Sequence, residues 1–250
     1  MAVFHSVSAF CNAGFDLMGN QTGQYSSLTS FAGSGYVTLV ICLLIMIGGI
    51  GFLTWKDIAV KKTRFKEYSM QTKVILVTTA ILIVIPAVFF FFSDFANEPL
   101  KDRICMSVFQ GVTPRTAGFN TADLNKMSDA GRSVMMLLML IGGSPGSTAG
   151  GMKTTTIAVL FANAIAVFRK RQNANCYGRR IDDSTVKNAS AILFMYVFFS
   201  MLSAIIISIT DGISMQMGMF ETFSAIGTVG LTLGITPTLS AVSRFVLILL

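Results

Sequence analysis

The chain has 250 residues, of which 53% are hydrophobic and 12% are charged, and its mean hydropathy is +0.68. Soluble domains carry about 25% charged residues, so the composition argues against a soluble protein and indicates one that crosses a membrane several times. The formal net charge of +7 is gathered in two short connections, which argues against a nucleic-acid partner.

One histidine and four cysteines limit the chemistry that the chain can perform. The cysteines lack metal-ligand spacing, so they predict neither a zinc site nor a disulfide framework. A membrane enzyme would need paired acids or histidines within one leaflet, and the apolar runs offer almost none. We therefore expect no enzyme and no covalently bound cofactor.

The chain opens with a short helix and a glycine loop. Residues 1–10 are mildly apolar but too few to cross a bilayer, which takes about 20 apolar residues. We expect the end of a helix that enters the membrane and turns back, followed by the first loop (residues 12–15). Residues 36–55 are then long enough to span the membrane, with aromatic residues at both ends where the interface favours them.

Two basic connections, at 56–73 and 169–187, contain most of the positive charge. Their basic residues are Lys56, Lys61, Lys62, Arg64, Lys66 and Lys73 in the first, and Arg169, Lys170, Arg171, Arg179, Arg180 and Lys187 in the second. The remaining connections are acidic or balanced. By the positive-inside rule, both basic connections are expected on the cytoplasmic side.

The middle of the chain alternates a full span, a short helix and an interrupted span. Residues 74–92 are predicted to cross the membrane, whereas 99–113 are too short and too polar to do so and precede the second loop (116–119). In 133–168 the only charge is Lys153, yet its centre, the glycine segment (142–151), holds five glycines and a proline. Such a sequence cannot stay helical, and irregular backbone at membrane depth indicates a pore or cavity.

The last part repeats the same plan. Residues 189–210 are predicted to span, 214–226 to enter and turn back, and the third loop (228–231) follows. The final apolar run, 241–250, is far shorter than a span, so we expect the chain to be a fragment. We divide it into 1–56 (short helix, loop and inner helix), 57–71 (basic linker), 72–170 (a complete unit), 171–188 (basic linker) and 189–250 (a unit with a truncated inner helix).

The three loops are near copies, with glycines at 14, 118 and 230. Copies at near-equal intervals indicate one structural unit repeated along the chain. A filter for a dehydrated alkali cation replaces the water shell with backbone carbonyls, which requires turns that glycine adopts cheaply. The carboxyl end of each short helix would add partial negative charge beside the cation.

Four stretches resemble a known family: SAFCNAGF at 8–15, TPRTAGFN at 113–120, GGSPGSTAGGMKTTT at 142–156 and GTVGL at 227–231. They are similar to the pore-forming subunit of the Trk/Ktr/HKT superfamily of potassium transporters, most closely the bacterial Ktr/Trk type. The resemblance implies an all-α polytopic membrane protein with helix–pore helix–helix units around a pseudo-fourfold pore. About two and a half of four repeats would be present, without the first repeat, the outer helix of the second and most of the last helix.

The resemblance also assigns site residues. The potassium-binding selectivity filter would comprise Asn12, Ala13, Gly14, Phe15, Thr116, Ala117, Gly118, Phe119, Thr228, Val229, Gly230 and Leu231. An intramembrane gate would comprise Gly142, Gly143, Ser144, Pro145, Gly146, Ser147, Thr148, Ala149, Gly150 and Gly151. Arg244 matches an arginine projected into the pore from the last helix, or is an arginine that snorkels to the interface.

Other charged residues leave alternatives open. Met152 interrupts a P-loop pattern and no strand precedes it, so Lys153 is a charge of the gate region or of a cavity lining rather than a phosphate ligand. Arg115 and Glu221 pair to brace the filter from behind, or Arg115 is merely solvated. Asp16 and Asp123 concentrate cations at the outer mouth, or are solvated loop acids.

The expected function is potassium uptake across a bacterial plasma membrane through a multi-pass pore. The alternative is a sodium-conducting or sodium/potassium-coupled member of the same superfamily, since the first filter loop is absent. The transported ion is potassium, or sodium in the alternative. Beyond the lipid bilayer, the resemblance implies a homodimer and a cytosolic nucleotide-binding regulatory ring as partners.

Overall fold

The computed structural model describes residues 1–23, 26–171 and 173–250, so residues 24, 25 and 172 of the predicted units 1–56 and 171–188 lie outside the described part. The α-helices are α1 Ala2–Phe10, α2 Gly19–Thr22, α3 Gly35–Ile50, α4 Phe52–Lys61, α5 Met70–Phe92, α6 Leu100–Val112, α7 Asp129–Leu140, α8 Thr154–Phe168, α9 Asp183–Asp211, α10 Met215–Ile226 and α11 Ala241–Leu249. Strands β1 Asn175–Cys176 and β2 Arg179–Arg180 form a small antiparallel hairpin within the second basic connection.

The long apolar runs form the long helices. Within the described residues, α5 and α9 are long and apolar enough to cross a membrane, as the sequence predicts for 74–92 and 189–210. The short helices α6 and α10 pack against α5 and α9 respectively. Each pair is a long helix followed by a half-length one, which is the predicted plan.

The span predicted over 36–55 is not one continuous helix. Helix α3 ends at Ile50, Gly51 has a φ of +95°, and α4 leaves at 97° to α3. A left-handed φ is accessible to glycine but strained for other residues. The break occurs there because the N–H of Phe52 donates to the carbonyl of Gly146 at 3.0 Å instead of continuing the α3 ladder.

The interrupted span is confirmed as two helices, α7 and α8, joined by residues 141–153. The ends of that connection lie side by side, because the N–H of Gly142 donates to Met152 O at 2.8 Å and the N–H of Met152 to Leu140 O at 3.3 Å. Between these ends the glycine segment is extended or turned rather than helical. The connection is therefore a closed loop with a narrow base.

Two apolar clusters hold the short helices in place. One is built around Phe109 and Phe119 and packs α6 and the second loop against α1 and α3. The other is built around Phe220, Met135 and Val229 and packs α10 and the third loop against α7. Each cluster includes residues of a glycine loop, so apolar burial fixes the position of the loops.

Helices α7 and α11 begin in the same way, which supports a repeated unit. Ser128 and Ser240 are their N-caps, and each hydroxyl accepts from the N–H three residues later. The N–H of Ser128 donates to Asp94 at 2.7 Å, and that of Ser240 donates to Asp211 at 2.8 Å. Asp211 is the last residue of α9 and Asp94 follows α5 closely, so each acid joins the end of a long helix to the start of the next inner one.

Candidate functional site

The three loops share an unusual backbone. In each, the first and third residues have positive φ while the residue between them does not: Asn12 51° and Gly14 72°, Thr116 60° and Gly118 76°, Thr228 53° and Gly230 85°. The left-handed region costs a residue with a Cβ about 1–2 kcal/mol, and strain of this kind collects at functional sites. Alternation of the sign of φ from one residue to the next can turn neighbouring carbonyls toward one side.

The structure brings the three loops together. A Cβ added to Gly14 would lie 2.5 Å from Ala117 O and 2.9 Å from the Cα of Gly118, and one added to Gly118 would collide with Val229 O. The first loop therefore touches the second, and the second touches the third. A Cβ on Gly230 would meet no atom of the residues that the structure describes within 4 Å.

The apolar side chains of the second and third loops are withdrawn into the core. Ala117, Phe119, Val229 and Leu231 are almost fully buried in the two apolar clusters. The first loop is less enclosed, and Phe15 is 71% exposed. Where the side chains are withdrawn into the core, the surface that the loops present to one another is their backbone.

Each loop is held to the end of its short helix by a backbone hydrogen bond. The N–H of Ala13 donates to Ser8 O at 2.9 Å, that of Ala117 to Thr113 O at 3.0 Å, and that of Val229 to Ser224 O at 2.8 Å. Helices α1, α6 and α10 thus end directly against the loops. Their carboxyl ends carry the negative pole of the helix dipole, which favours a cation at this place.

The glycine segment packs against two of the loops. Thr148 Oγ1 contacts Phe10 O at 3.0 Å and Asn12 Oδ1 at 3.3 Å. A Cβ on Gly150 would collide with the side chain of Thr228 in the third loop. The segment therefore bridges the first and third loops, and only glycine fits at 150.

The same segment is attached to α3 where that helix carries glycines. The N–H of Ser144 donates to Gly49 O at 2.9 Å, and the N–H of Thr148 donates to Gly48 O at 3.2 Å. A Cβ on Gly48 would collide with Phe10 O. The glycines of α3 thus allow close approach of the glycine segment on one side and of α1 on the other.

Lys153, at the start of α8, stabilises the glycine segment. Its Nζ donates to Ala149 O at 2.7 Å, and the residue lies at the N-cap of α8. The side chain is half-buried. Lys153 therefore lies against the end of the glycine segment.

The predicted pairing of Arg115 with Glu221 is wrong. Glu221 is buried and accepts from Thr232 Oγ1 at 2.7 Å, the N–H of Leu233 at 3.0 Å and Thr236 Oγ1 at 2.7 Å. No ion pair joins the two residues in the described part of the chain. The carboxylate instead binds the backbone and hydroxyls that follow the third loop.

Arg115 is not solvated either. It is 5% exposed, its guanidinium lies 3.5 Å from Thr79 Oγ1 on α5, and its own carbonyl accepts from Asn12 Nδ2 at 3.3 Å. Arg115 therefore links the second loop to the first through its backbone and faces α5 with its side chain.

Arg244 lies near the start of the last helix. It lies in the first turn of α11, is exposed, and donates to Leu239 O and Pro237 O, both at 2.9 Å. It follows the cap Ser240 as Arg132 follows Ser128, so it occupies the start of an inner helix rather than its middle. The alternative of an interfacial arginine fits this position.

An acidic cavity of about 600 Å³ lies beyond the second and third loops. Asp94, Glu98, Asp102 and Asp123 line it together with one base, Lys126. Asp123 is exposed and also caps a short turn, while Asp16 accepts from the N–H of Met18 at 2.9 Å outside this cavity. Sequence reasoning missed Glu98 and Asp102; their place in an acidic connection was the available signal.

The whole chain, residues 1–250, matches the family model described as TrkH, cation transport protein. The chain belongs to this family. The family consists of transporters rather than enzymes. The chain is 38% identical to the potassium/sodium uptake protein NtpJ of Enterococcus hirae over 99% of its length and 55% of that protein. It is 36% identical to the Ktr system potassium uptake protein B of Bacillus subtilis over 100% of its length and 56% of that protein.

A solved structure has the same fold. The potassium transporter TrkH from Vibrio parahaemolyticus superimposes with a TM-score of 0.78 at 17% identity, over 99% of this chain and 54% of that one. This agreement confirms the all-α polytopic membrane fold. The TrkH-family chain described above spans about half the length of the relatives that it matches.

Proposed function

We propose that the protein takes up potassium ions across the plasma membrane through a filter formed by the three glycine loops. The observation that supports this most directly is that the loops lie against one another with the same alternation of φ. Withdrawn side chains and converging helix carboxyl ends suit a dehydrated cation, which binds to backbone carbonyls. Potassium is the transported substrate in this proposal.

The glycine segment is proposed to gate this pore. It touches the first loop through Thr148 and the third through Gly150, so it lies across the loops rather than beside them. Backbone without helical hydrogen bonds is the part of a membrane protein that can change shape at modest cost. Lys153 would hold the closed form through its bond to Ala149 O.

Arg115 and Glu221 remain proposed supports of the filter, although as separate braces. Arg115 anchors the second loop against α5, and Glu221 anchors the residues after the third loop. The acidic cavity would raise the local cation concentration outside the filter, since a cleft lined by one sign of charge attracts counter-ions.

The alternative is uptake of sodium or of both ions. A relative at 38% identity is named a potassium/sodium uptake protein, and that name favours this second candidate. Competition of sodium with rubidium uptake separates the two. Potassium selectivity predicts little competition, and mixed uptake predicts strong competition at equal concentrations.

Placement and partners complete the proposal. Both basic connections would face the cytoplasm of a bacterial cell, with 72–170 as one full repeat and 57–71 and 171–188 as linkers. Relatives named as components of Ktr systems suit a membrane subunit that dimerises and binds a cytosolic nucleotide-binding ring.

The test is uptake of rubidium by a potassium-transport-deficient strain that expresses the complete coding sequence. Gly118→Ala places a Cβ against Val229 O at a φ of +76°. We expect at least about a tenfold loss of uptake, because the added Cβ would displace the carbonyl of Val229 as well as strain the second loop. The matched control is Gly212→Ala, at a φ of +66° in open space. Equal uptake by both variants would refute the filter.

A further inference from the structure

Two cavities meet where α5 begins. The first, the basic cavity, has a volume of about 460 Å³ and is lined by Lys61, Lys66, Lys73 and Arg179, with Glu67 as its one acid. The second, the apolar groove, has about 200 Å³ and lies between α5, α8 and the β1–β2 hairpin. Met70 lines both, so the two spaces are neighbours.

The basic cavity has positive charge that its surroundings do not neutralise. Glu67 pairs with Arg64 at 3.3 Å, and Lys61 pairs with Asp57 at 2.5 Å. Within the described residues, Lys66, Lys73 and Arg179 form no ion pair. A cavity with three such cations suits an anionic ligand.

The cations are held in place by the local structure. Lys73 lies in the first turn of α5, where its Nζ donates to Lys66 O at 2.7 Å and stands 5.9 Å from the centre of the Tyr177 ring. Arg179 is paired across the hairpin with Cys176. The hairpin therefore positions Tyr177 and Arg179 on the side of the cavity opposite to the start of α5.

The apolar groove continues from the basic cavity along the apolar part of α5. Val74, Ala158, Val159, Cys176 and Ile181 line it. Phe65 and Tyr177 nearby are 43% and 50% exposed, and exposed aromatic residues are favoured where the bilayer meets water. A soluble anion has no apolar part to place in such a groove, whereas a lipid has an acyl chain.

We infer that the basic cavity and the apolar groove together bind one anionic phospholipid, with its phosphate against Lys66, Lys73 and Arg179 and part of one acyl chain in the groove. This inference rests on the proposed membrane placement of α5, with its Met70 end at the cytoplasmic surface. Juxtamembrane lysines and arginines attract anionic lipids at that surface. The basic connection thus acts as a lipid site as well as an orientation signal.

The experiment uses the complete protein in dodecylmaltoside and follows thermal unfolding while dioleoylphosphatidylglycerol is added. We expect a saturable rise in Tm that dioleoylphosphatidylcholine does not give, because a ligand of the folded state stabilises it. The same Tm measurement is repeated with inorganic phosphate and with glycerol 3-phosphate, which are soluble and have no acyl chain. A full effect from either one would overturn the lipid assignment in favour of a phosphate site.

The variants are matched in charge. Lys66→Gln, Lys73→Gln and Arg179→Gln together should weaken the lipid's apparent affinity about tenfold or more. The control, Arg169→Gln, Arg171→Gln and Lys187→Gln together, removes as much charge from residues that do not line the cavity and should change affinity less than about twofold. Equal losses of lipid affinity in the two triple variants would show only non-specific attraction of the lipid to positive charge, and would overturn the proposed site.

Two single variants keep the test informative if the triple variant does not fold. Arg179 lies on the exposed hairpin, and Arg179→Gln should weaken lipid binding. Val159→Phe should fill the groove and so weaken lipid binding as well. Unchanged affinity in both would refute the site. Stabilisation by an acidic cytosolic protein but not by lipid would instead assign the surface to that partner. Uptake is not measured, so failure of the potassium proposal would leave this result unaffected.

Discussion

Thr148 Oγ1 lies 3.3 Å from Asn12 Oδ1, and this contact joins the glycine segment to the first loop. Thr148→Val removes it while keeping the shape of the side chain. A hydrogen bond contributes about 0.5–1.5 kcal/mol, so we expect the closed form to lose stability and rubidium uptake to rise by about twofold to tenfold. Thr210→Val is the control, because its hydroxyl is exposed and donates only within α9. Unchanged uptake would contradict a gate at this contact.

Gly51→Ala tests the break between α3 and α4. The added Cβ would lie 2.6 Å from Pro145 O at a φ of +95°, so it meets both strain and a clash. Gly23→Ala has a similar backbone, with a φ of +117°, and no atom of the described residues lies within 4 Å of its added Cβ. We expect Gly51→Ala to lower the Tm in detergent by several degrees more than Gly23→Ala, since each kcal/mol shifts Tm by about 2–4 °C in chains of this size. Equal Tm values would show that the contact with Pro145 is unimportant.

Glu221→Gln tests the brace behind the third loop. The carboxylate accepts three hydrogen bonds in a buried position, and an amide nitrogen cannot accept. We expect a loss of about 1–3 kcal/mol in unfolding free energy, read from denaturation in detergent. Glu98→Gln, at an exposed acid, should cost much less. The proposal fails if the two variants unfold alike.

Arg244→Gln should leave gating unchanged. Arg244 is exposed and donates to the carbonyls of Pro237 and Leu239, just before α11. Loss of its side chain should therefore cost no more than about 1.5 kcal/mol of local stability. Rubidium uptake is expected to stay within about twofold of the unchanged protein. A large increase in uptake would restore the gating role that its position argues against.

Cys176 offers a test of the apolar groove by pH. Burial raises the pKa of its thiol, and only the thiolate reacts with iodoacetamide. In a protein that retains Cys176 as its one cysteine, the midpoint of the curve of labelling rate against pH should lie above the ordinary thiol pKa of about 8.5. A midpoint at or below that value would place the thiol in water.

The helices could be predicted from the sequence because hydropathy and length determine them locally. Helices α6 and α10 begin and end within one residue of the predicted runs, whereas α5 begins four residues and α9 six residues earlier than predicted. The end of α3 could not be predicted, since the apolar run continues past Gly51 and the cause of the break, the carbonyl of Gly146, is distant in sequence.

The three loops were predicted as a set because their sequences repeat, and the structure places them side by side. The partners of buried charges could not be predicted in this way. Glu221 binds Thr232, Leu233 and Thr236 rather than Arg115, and neither spacing nor composition shows that preference. Arg244 could have been placed from sequence, since its distance from Ser240 repeats that of Arg132 from Ser128.

The hydrogen bond from the N–H of Phe52 to Gly146 O attaches the start of α4 to the glycine segment. One end of this helix holds the middle of the glycine segment, and the other carries Lys61 beside the basic cavity. Helix α4 has 10 residues and stands at 97° to α3. The basic cavity and the glycine segment are therefore joined by a single short helix.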